Sequence, residues 1–454
     1  MGSGLFWVRF LLSFLIWGLY PWIITTVSCQ SSCPLSFSNS RAFHRFSATL
    51  NPNPMNQCPL PLITTSDYIP NELLIEILAR LPVDSLLRFT SVCKSWYSLI
   101  TSPSFITKHI NQTITDRKRI SDKLILRLFT DIVLCPDDEN FPDGYLPFPF
   151  KSPNGYFRIF GSCIGLLCLC DDYYDNSHDH FYGAIGDASQ IVLWNPSIRK
   201  SVTICMPCKP RGCYMFVLGF GAHPTTHEYK VVRLVYLITY SSHFAPKVEL
   251  FTQGTGLWRC IDSATPPHFL CTGLWRCIDS ATPPHCMVEF MWSQAFVNGA
   301  VHWVAFDPCV VDGFRNLILS FNMDAEAFSE MMLPPTLADE HPSRLSVKLF
   351  GESLAVFWSG QISAGFYCIW MMKEYGDAES WTKLFSINLP DVLDKTLGFR
   401  KNGEVLLSTN ENWLLSYHPR TQKMTNTGIV GNSYSFNVDV FMATLVLVKG
   451  ENGV

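Results

Sequence analysis

Three short constellations in the chain carry residue types that chemistry could use. Gly161-x-Cys163-x-Gly165 has the outline of a nucleophile elbow, where a sharp strand-to-helix turn lifts a nucleophile toward a histidine base. Here it lies within the apolar, strand-like run 160–169, so a packed core thiol is the better account. Cys205-x-x-Cys208, with Cys213 nearby, has one half of a zinc-finger spacing but no second pair at the required distance. His178-Asp179-His180 could hold a metal only with further ligands, and the polar stretch from Asp171 to Asp187 reads as a solvated loop. There is no phosphate-cradling glycine loop and no His-Glu-x-x-His. Trp194, Trp258, Trp303 and Trp381 could stack on a sugar or a peptide, but their regular spacing suits wedges between repeated units. The sequence therefore predicts no catalytic residue, no metal and no cofactor.

What must position these residues is mostly β structure. Aromatics reach 14% of 454 residues, an excess that favours pleated, half-buried surfaces. A net charge of −4, with Arg117-Lys118-Arg119 as the only compact basic run, argues against a nucleic-acid partner. The 17 cysteines are scattered in a chain too large to need disulfide staples, which points to reduced thiols and a reducing compartment, cytoplasmic or nuclear.

Residues 1–66 stand apart. Leu5 to Val27 is an apolar stretch of 23 residues whose only charge is Arg9, and Pro21 interrupts it. Three readings stay open. It is an extension absent from the working protein, with Met55 as the start; or a membrane anchor, with Arg41 and Arg45 keeping the remainder on the cytosolic side; or a cleaved signal. A membrane is a partner only if this segment is retained. Residues 30–66, rich in Ser, Pro, Asn and Thr, read as a flexible linker.

From Asp67 the pattern turns helical. Pro70 suits a first helical position, and Leu73, Leu74, Ile77, Leu78 and Leu81 recur at helical spacing before Pro82 stops the run. Asp84 or Ser85 can cap a second helix carrying Leu86, Leu87 and Phe89. A third follows with Val92, Trp96 and Leu99 on one stripe, ending near Ser102-Pro103. So small a unit cannot bury all these groups, so its spare apolar face meets a partner or docks on the domain that follows.

Ile69-Pro-Asn-Glu-Leu-Leu-Ile-Glu-Ile-Leu-Ala-Arg-Leu-Pro82, followed by Val92-Cys-Lys-Ser-Trp96, resembles the F-box, with Ile69 where that family most often has Leu. The resemblance implies docking on a Skp-type adaptor and, through it, a cullin. By that resemblance the contact falls to Ile69, Pro70, Leu74, Ile77, Leu78, Leu81, Pro82, Leu86, Val92 and Trp96. Some of these must instead hold the helices together, and the sequence does not divide the two sets.

Beyond residue 120, short apolar strands alternate with turn signals, including Asn154-Gly155, Asn298-Gly299 and Asn402-Gly403. A degenerate unit, an aromatic-ended strand, a polar turn and a second strand, recurs near 191–204, 247–262, 317–333, 367–387 and 413–429. That spacing suits four-stranded propeller blades, with an irregular double sheet as the alternative. Phe160 to Leu169, Leu193-Trp-Asn-Pro-Ser197, Leu218-Gly-Phe-Gly221 and Ser293 to Trp303 resemble the F-box-associated domain of plant F-box proteins. The expected fold is α+β and multidomain, a small three-helix F-box before a large all-β, propeller-like domain. The expected boundaries are 67–110 for the helices, 111–123 for a linker and 124–448 for the β domain.

The resemblance implies a non-catalytic substrate-recognition subunit of a Skp–cullin–F-box ubiquitin ligase, whose β domain takes an unknown target protein. The rival is a secreted or membrane-tethered propeller outside any ligase, whose one glycosylation acceptor would be Asn111-Gln-Thr113. One departure stands out: Thr255 to His268 recurs without change as Thr272 to His285. Such identity marks a recent tandem duplication, of which one copy can serve as a blade strand while the other is absorbed as a loop.

Overall fold

The structure is a computed structural model that describes residues 70–116, 123–128, 131–137, 146–147, 157–171, 190–208, 210, 214–237, 246–261, 286–289, 294–307, 315–360, 366–389, 393–431 and 436–446. Residues 1–66, Ile69, Arg117-Lys118-Arg119, Asn154-Gly155, His178-Asp179-His180, Cys213 and the second duplicated copy lie outside these.

Among the described residues four helices come first: α1 (Asn71–Ala79), α2 (Val83–Phe89), α3 (Lys94–Ile100) and α4 (Pro103–Thr115). Pro70 and Pro82 sit one residue outside α1 and α2, each with an extended ψ, so the prolines set the entry of the chain and Asp84 falls in the first turn of α2. The fourth helix begins where the sequence reading ended the unit. Ser102 accepts a hydrogen bond from Phe105 N at 3.3 Å and Pro103 takes the first helical position, so Ser-Pro is here a start signal. The helix runs past the boundary expected at residue 110.

Among the described residues six antiparallel sheets follow, each with four strands except one with five. Blade II holds Arg158–Cys163, Leu166–Cys170, Gln190–Asn195 and Lys200–Cys205; blade III holds Tyr214–Ala222, Tyr229–Leu237, Lys247–Thr252 and Leu257–Ile261. Blade IV runs from Met287–Val288 to Phe328–Met332, blade V from Leu345–Phe350 to Trp381–Asn388, and blade VI from Leu393–Phe399 to Lys423–Val430. Blade I is composite. Lys123–Arg127, Asp131–Pro136 and Leu146–Pro147 are completed by Asn437–Phe441, with Lys123 opposite Phe441 and Arg127 opposite Asn437. A strand from the far end of the chain thus completes blade I and closes the ring. The first duplicated copy supplies the outermost strand of blade III, Leu257–Ile261.

Tryptophans mark four successive seams. Trp194 packs with Ile125, Ile132 and Phe441 between blades II and I. Trp258 donates to Cys205 O at 2.9 Å, Trp303 to Leu218 O at 3.2 Å and Trp381 to Met332 O at 3.1 Å, each reaching the preceding blade. A Cβ on Gly219 would lie 2.2 Å from the Trp303 ring, so glycine there makes room for the wedge.

His302, fully buried in blade IV, donates from Nδ1 to Ala295 O at 3.2 Å and accepts at Nε2 from Tyr375 Oη of blade V at 2.8 Å. Burial pushes its pKa down to about 4 from 6.5. The folded protein holds this ring neutral, so below the ordinary value only the unfolded chain takes up the proton. Stability is complete above pH 6.5 and is lost as pH falls toward 4. The urea midpoint is expected to drop between pH 7 and about 5 more steeply for the wild type than for His302→Gln. Equal slopes would remove His302 as the cause.

Candidate functional site

The helical unit has two faces of different character. Leu78, Leu81 and Leu86 are buried with Ala79, Val83, Phe89, Ile100 and Phe105, forming the unit's own core. Trp96 is half-buried and meets Phe89 edge-on, centroids 5.3 Å apart, which ties α3 to α2. Leu74 and Val92 are half-buried at the margin of the same cluster. Pro70, Ile77 and Pro82 face outward, Ile77 with 43% of its surface exposed.

Burial therefore sorts the ten residues attributed to adaptor contact. Three form the core, three border it, three are exposed, and Ile69 lies outside the described residues. Two exposed groups were missed: Leu73 at 56% and Tyr97 at 57%. The spacing of Leu73 and Ile77, with Pro70 at the N-cap, puts all three on one stripe at α1, a signal present in the sequence but hidden by the equally apolar Leu74 and Leu78 beside it. Large apolar side chains gathered on one exposed helix stripe suit burial against another protein.

Other residues of the unit dock on the propeller. Ile110 of α4 is buried in the propeller core with Phe220 and Tyr229, and Ile106 packs against both cores. His109 is buried, with Nε2 3.0 Å from Leu81 O. Asn111 Oδ1 accepts from His227 Nε2 of blade III at 2.8 Å, so the glycosylation-like triplet sits within a helix that faces the propeller. Lys123 pairs with Asp84 at 3.2 Å, tying blade I to α2.

The constellation Gly161-x-Cys163-x-Gly165 resolves into packing, while His178-Asp179-His180 lies outside the described residues. Gly161 makes room for Gln294, which pairs with Phe220 N and O at 2.9 and 3.0 Å, and a Cβ there would lie 2.0 Å from the amide nitrogen. Cys163 is buried, and burial pushes its thiol well above the usual range, the reverse of what a nucleophile needs. Gly165, with φ +79, passes against Thr444. Cys205 and Cys208 are exposed, and among the described residues no group of three or more ligating side chains could hold a metal. No helix among the described residues is long and apolar enough to cross a membrane.

The described residues thus form a helical unit that keeps one apolar stripe outward, mounted on a closed six-bladed ring. Residues 67–108 match the F-box domain, and residues 162–444 match the F-box associated beta propeller domain. The chain belongs to the family of plant F-box proteins with a C-terminal F-box associated β-propeller. It is 26% identical to F-box protein At3g07870 of Arabidopsis thaliana over 420 residues, covering 84% of this chain and 92% of the relative. To F-box protein CPR1 of the same plant it is 24% identical, covering 84% and 90%. To F-box/kelch-repeat protein At3g23880, also from Arabidopsis thaliana, it is 26% identical, covering 70% and 79%.

Proposed function

We propose that the chain is the substrate-recognition subunit of a Skp–cullin–F-box ubiquitin ligase. The outward stripe of Pro70, Leu73 and Ile77 docks a Skp-type adaptor, which joins the chain to a cullin, while the propeller captures a target protein. Leu78, Leu81 and Leu86 act beneath that surface by holding the helices in register, and Leu74, Val92 and Trp96 border it. The chain forms no bond itself. It raises the effective concentration of target lysines near a ubiquitin-charged conjugating enzyme, so rate comes from proximity. Cytoplasm or nucleus is the proposed workplace.

The observation that carries this reading is the pairing of an apolar, outward α1 stripe with an inner face already occupied by the propeller. A partner that met the inner face would have to displace Ile106 and Ile110 from their packing. The test is capture of a purified Skp-type adaptor by the full chain. Binding is expected at submicromolar concentration, on the order of 10 kcal/mol for a standard-size interface. A folded chain that does not bind the adaptor would overturn the reading in favour of a propeller outside any ligase.

A further inference from the structure

Beyond Phe441 the chain runs between the two modules, and its side chains alternate between them. Leu445, 5% exposed, lies in the helical core with Leu78, Leu81, Leu86 and Phe105. Val446 lies in the propeller core with Met215 and Phe220. Ala443 packs against the helical cluster and against the blade I–II cluster. Thr444 is fully buried and donates from Oγ1 to Ile164 O at 3.3 Å.

Asn195 is the residue that grips this segment. It is fully buried at the end of a blade II strand, and its two amide atoms do different work. Oδ1 accepts from Ser197 N at 3.0 Å and shapes the turn that carries Ile198, itself packed on the helical core. Nδ2 donates to Thr444 O at 3.0 Å and Val446 O at 3.1 Å. On the other side, Gly165 lets the segment pass: a Cβ there would stand 2.1 Å from Thr444 Oγ1. The same segment continues the strand that closes the ring, and Phe441 is the register partner of Lys123, where the chain from α4 enters blade I. Besides the contacts of α4 with blade III, the helices are thus held by two segments that leave one blade at the same end.

We infer that residues 442–446, gripped by Asn195 and Gly165, are a peg that fixes the orientation of the adaptor-docking helices on the target-binding propeller. Asn195 is then a positioning residue for ubiquitin transfer, and that consequence rests on the ligase reading. Alignment of the two modules sets which lysines can meet the charged conjugating enzyme. A chain that bound both partners through a loose joint would present many orientations and spread the modification.

Asn195→Asp keeps the size and the acceptor that shapes the turn, but turns a carboxylate oxygen toward two carbonyls. In the full chain, hydrogen exchange over residues 78–100 is expected to rise about tenfold, with blades IV and V unchanged. Adaptor affinity is expected to stay within about twofold, since the docking stripe is untouched. In a ligase reconstituted with a Skp-type adaptor, cullin, activating and conjugating enzymes and ubiquitin, the self-modified lysines of the chain are expected to spread to sites the wild type leaves unmodified. Leu445→Ala provides a second variant that removes contact with the helices alone and should act in the same direction. Unchanged exchange over residues 78–100 in both folded variants would overturn the peg. An unchanged lysine pattern despite raised exchange would overturn its positioning role. Failure of the wild type to bind the adaptor would sink the ligase reading, while the exchange measurement would still decide the peg.

Discussion

Ile77→Asp is expected to weaken adaptor binding by about a hundredfold, roughly 2.7 kcal/mol, while moving the unfolding free energy by no more than about 0.5 kcal/mol. Ile77 is 43% exposed on α1, so a carboxylate there stays hydrated in the free chain. Against a partner it must give up that water in an apolar contact, and the penalty falls on the complex alone. Leu73→Asp, at a position 56% exposed, should behave alike. Leu86→Ala reaches the same loss of binding by another route. Leu86 is fully buried, and its truncation leaves a cavity costing about 2–5 kcal/mol in a unit with little stability to spare. Circular dichroism and thermal melting separate the two: Ile77→Asp should melt like the wild type, and Leu86→Ala should lose the helical unit first. Wild-type binding by Ile77→Asp would place the adaptor on a different face. Unfolding by Ile77→Asp would make that residue part of the core.

Why the two kinds of leucine could not be told apart in advance is a matter of what packs on them. Leu74 and Leu78 are as apolar as Leu73 and Ile77, and α1 alone offers no reason to prefer one stripe. The choice is made by α4 and by Leu445, which cover one side of the unit. The start of α4 was hidden because Ser102-Pro103 serves equally as a stop and as an N-cap followed by a first-turn proline. In the β region the repeat was legible because each window, from 191–204 to 413–429, is the outer hairpin of one blade, II through VI. Those strands join through local turns and keep their order in sequence. Blade I gave no such signal, since its closing strand comes from the other end of the chain. The motif glycines were visible, but not their reasons. Gly161, Gly165 and Gly219 are fixed by Gln294, Thr444 and Trp303, all distant in sequence.

The seam between blades I and VI carries the second large effect, and nothing in the sequence marked it. Asp137, its side chain 1% exposed just after a blade I strand, accepts from Arg400 Nε at 2.9 Å and from Lys401 N at 2.6 Å. Arg400 also donates through Nη1 to Glu404 at 2.8 Å, and Glu404 accepts from Ser416 Oγ at 2.6 Å. Asp137→Ala takes from Arg400 Nε its carboxylate and from Lys401 N its acceptor in a site with little access to water. Glu404 still pairs with Arg400, so the loss is that of two hydrogen bonds to a buried carboxylate, each about 1.5–3 kcal/mol and together about 3–5 kcal/mol. The urea midpoint should fall accordingly, with the slope of the transition kept if the ring still unfolds as one unit. Hydrogen exchange should rise first over residues 123–127, 393–399 and 437–441, because the ring begins and ends there. Phe441 leads directly into the segment that carries Leu445, so loosening at the seam should also travel into the helices. If Asp137→Ala instead matches the wild-type midpoint, the strand ladder alone closes the ring and the ion pair is incidental. If the seam opens while the helices stay protected, α4 and its contacts with blade III hold them without help from the closing strand.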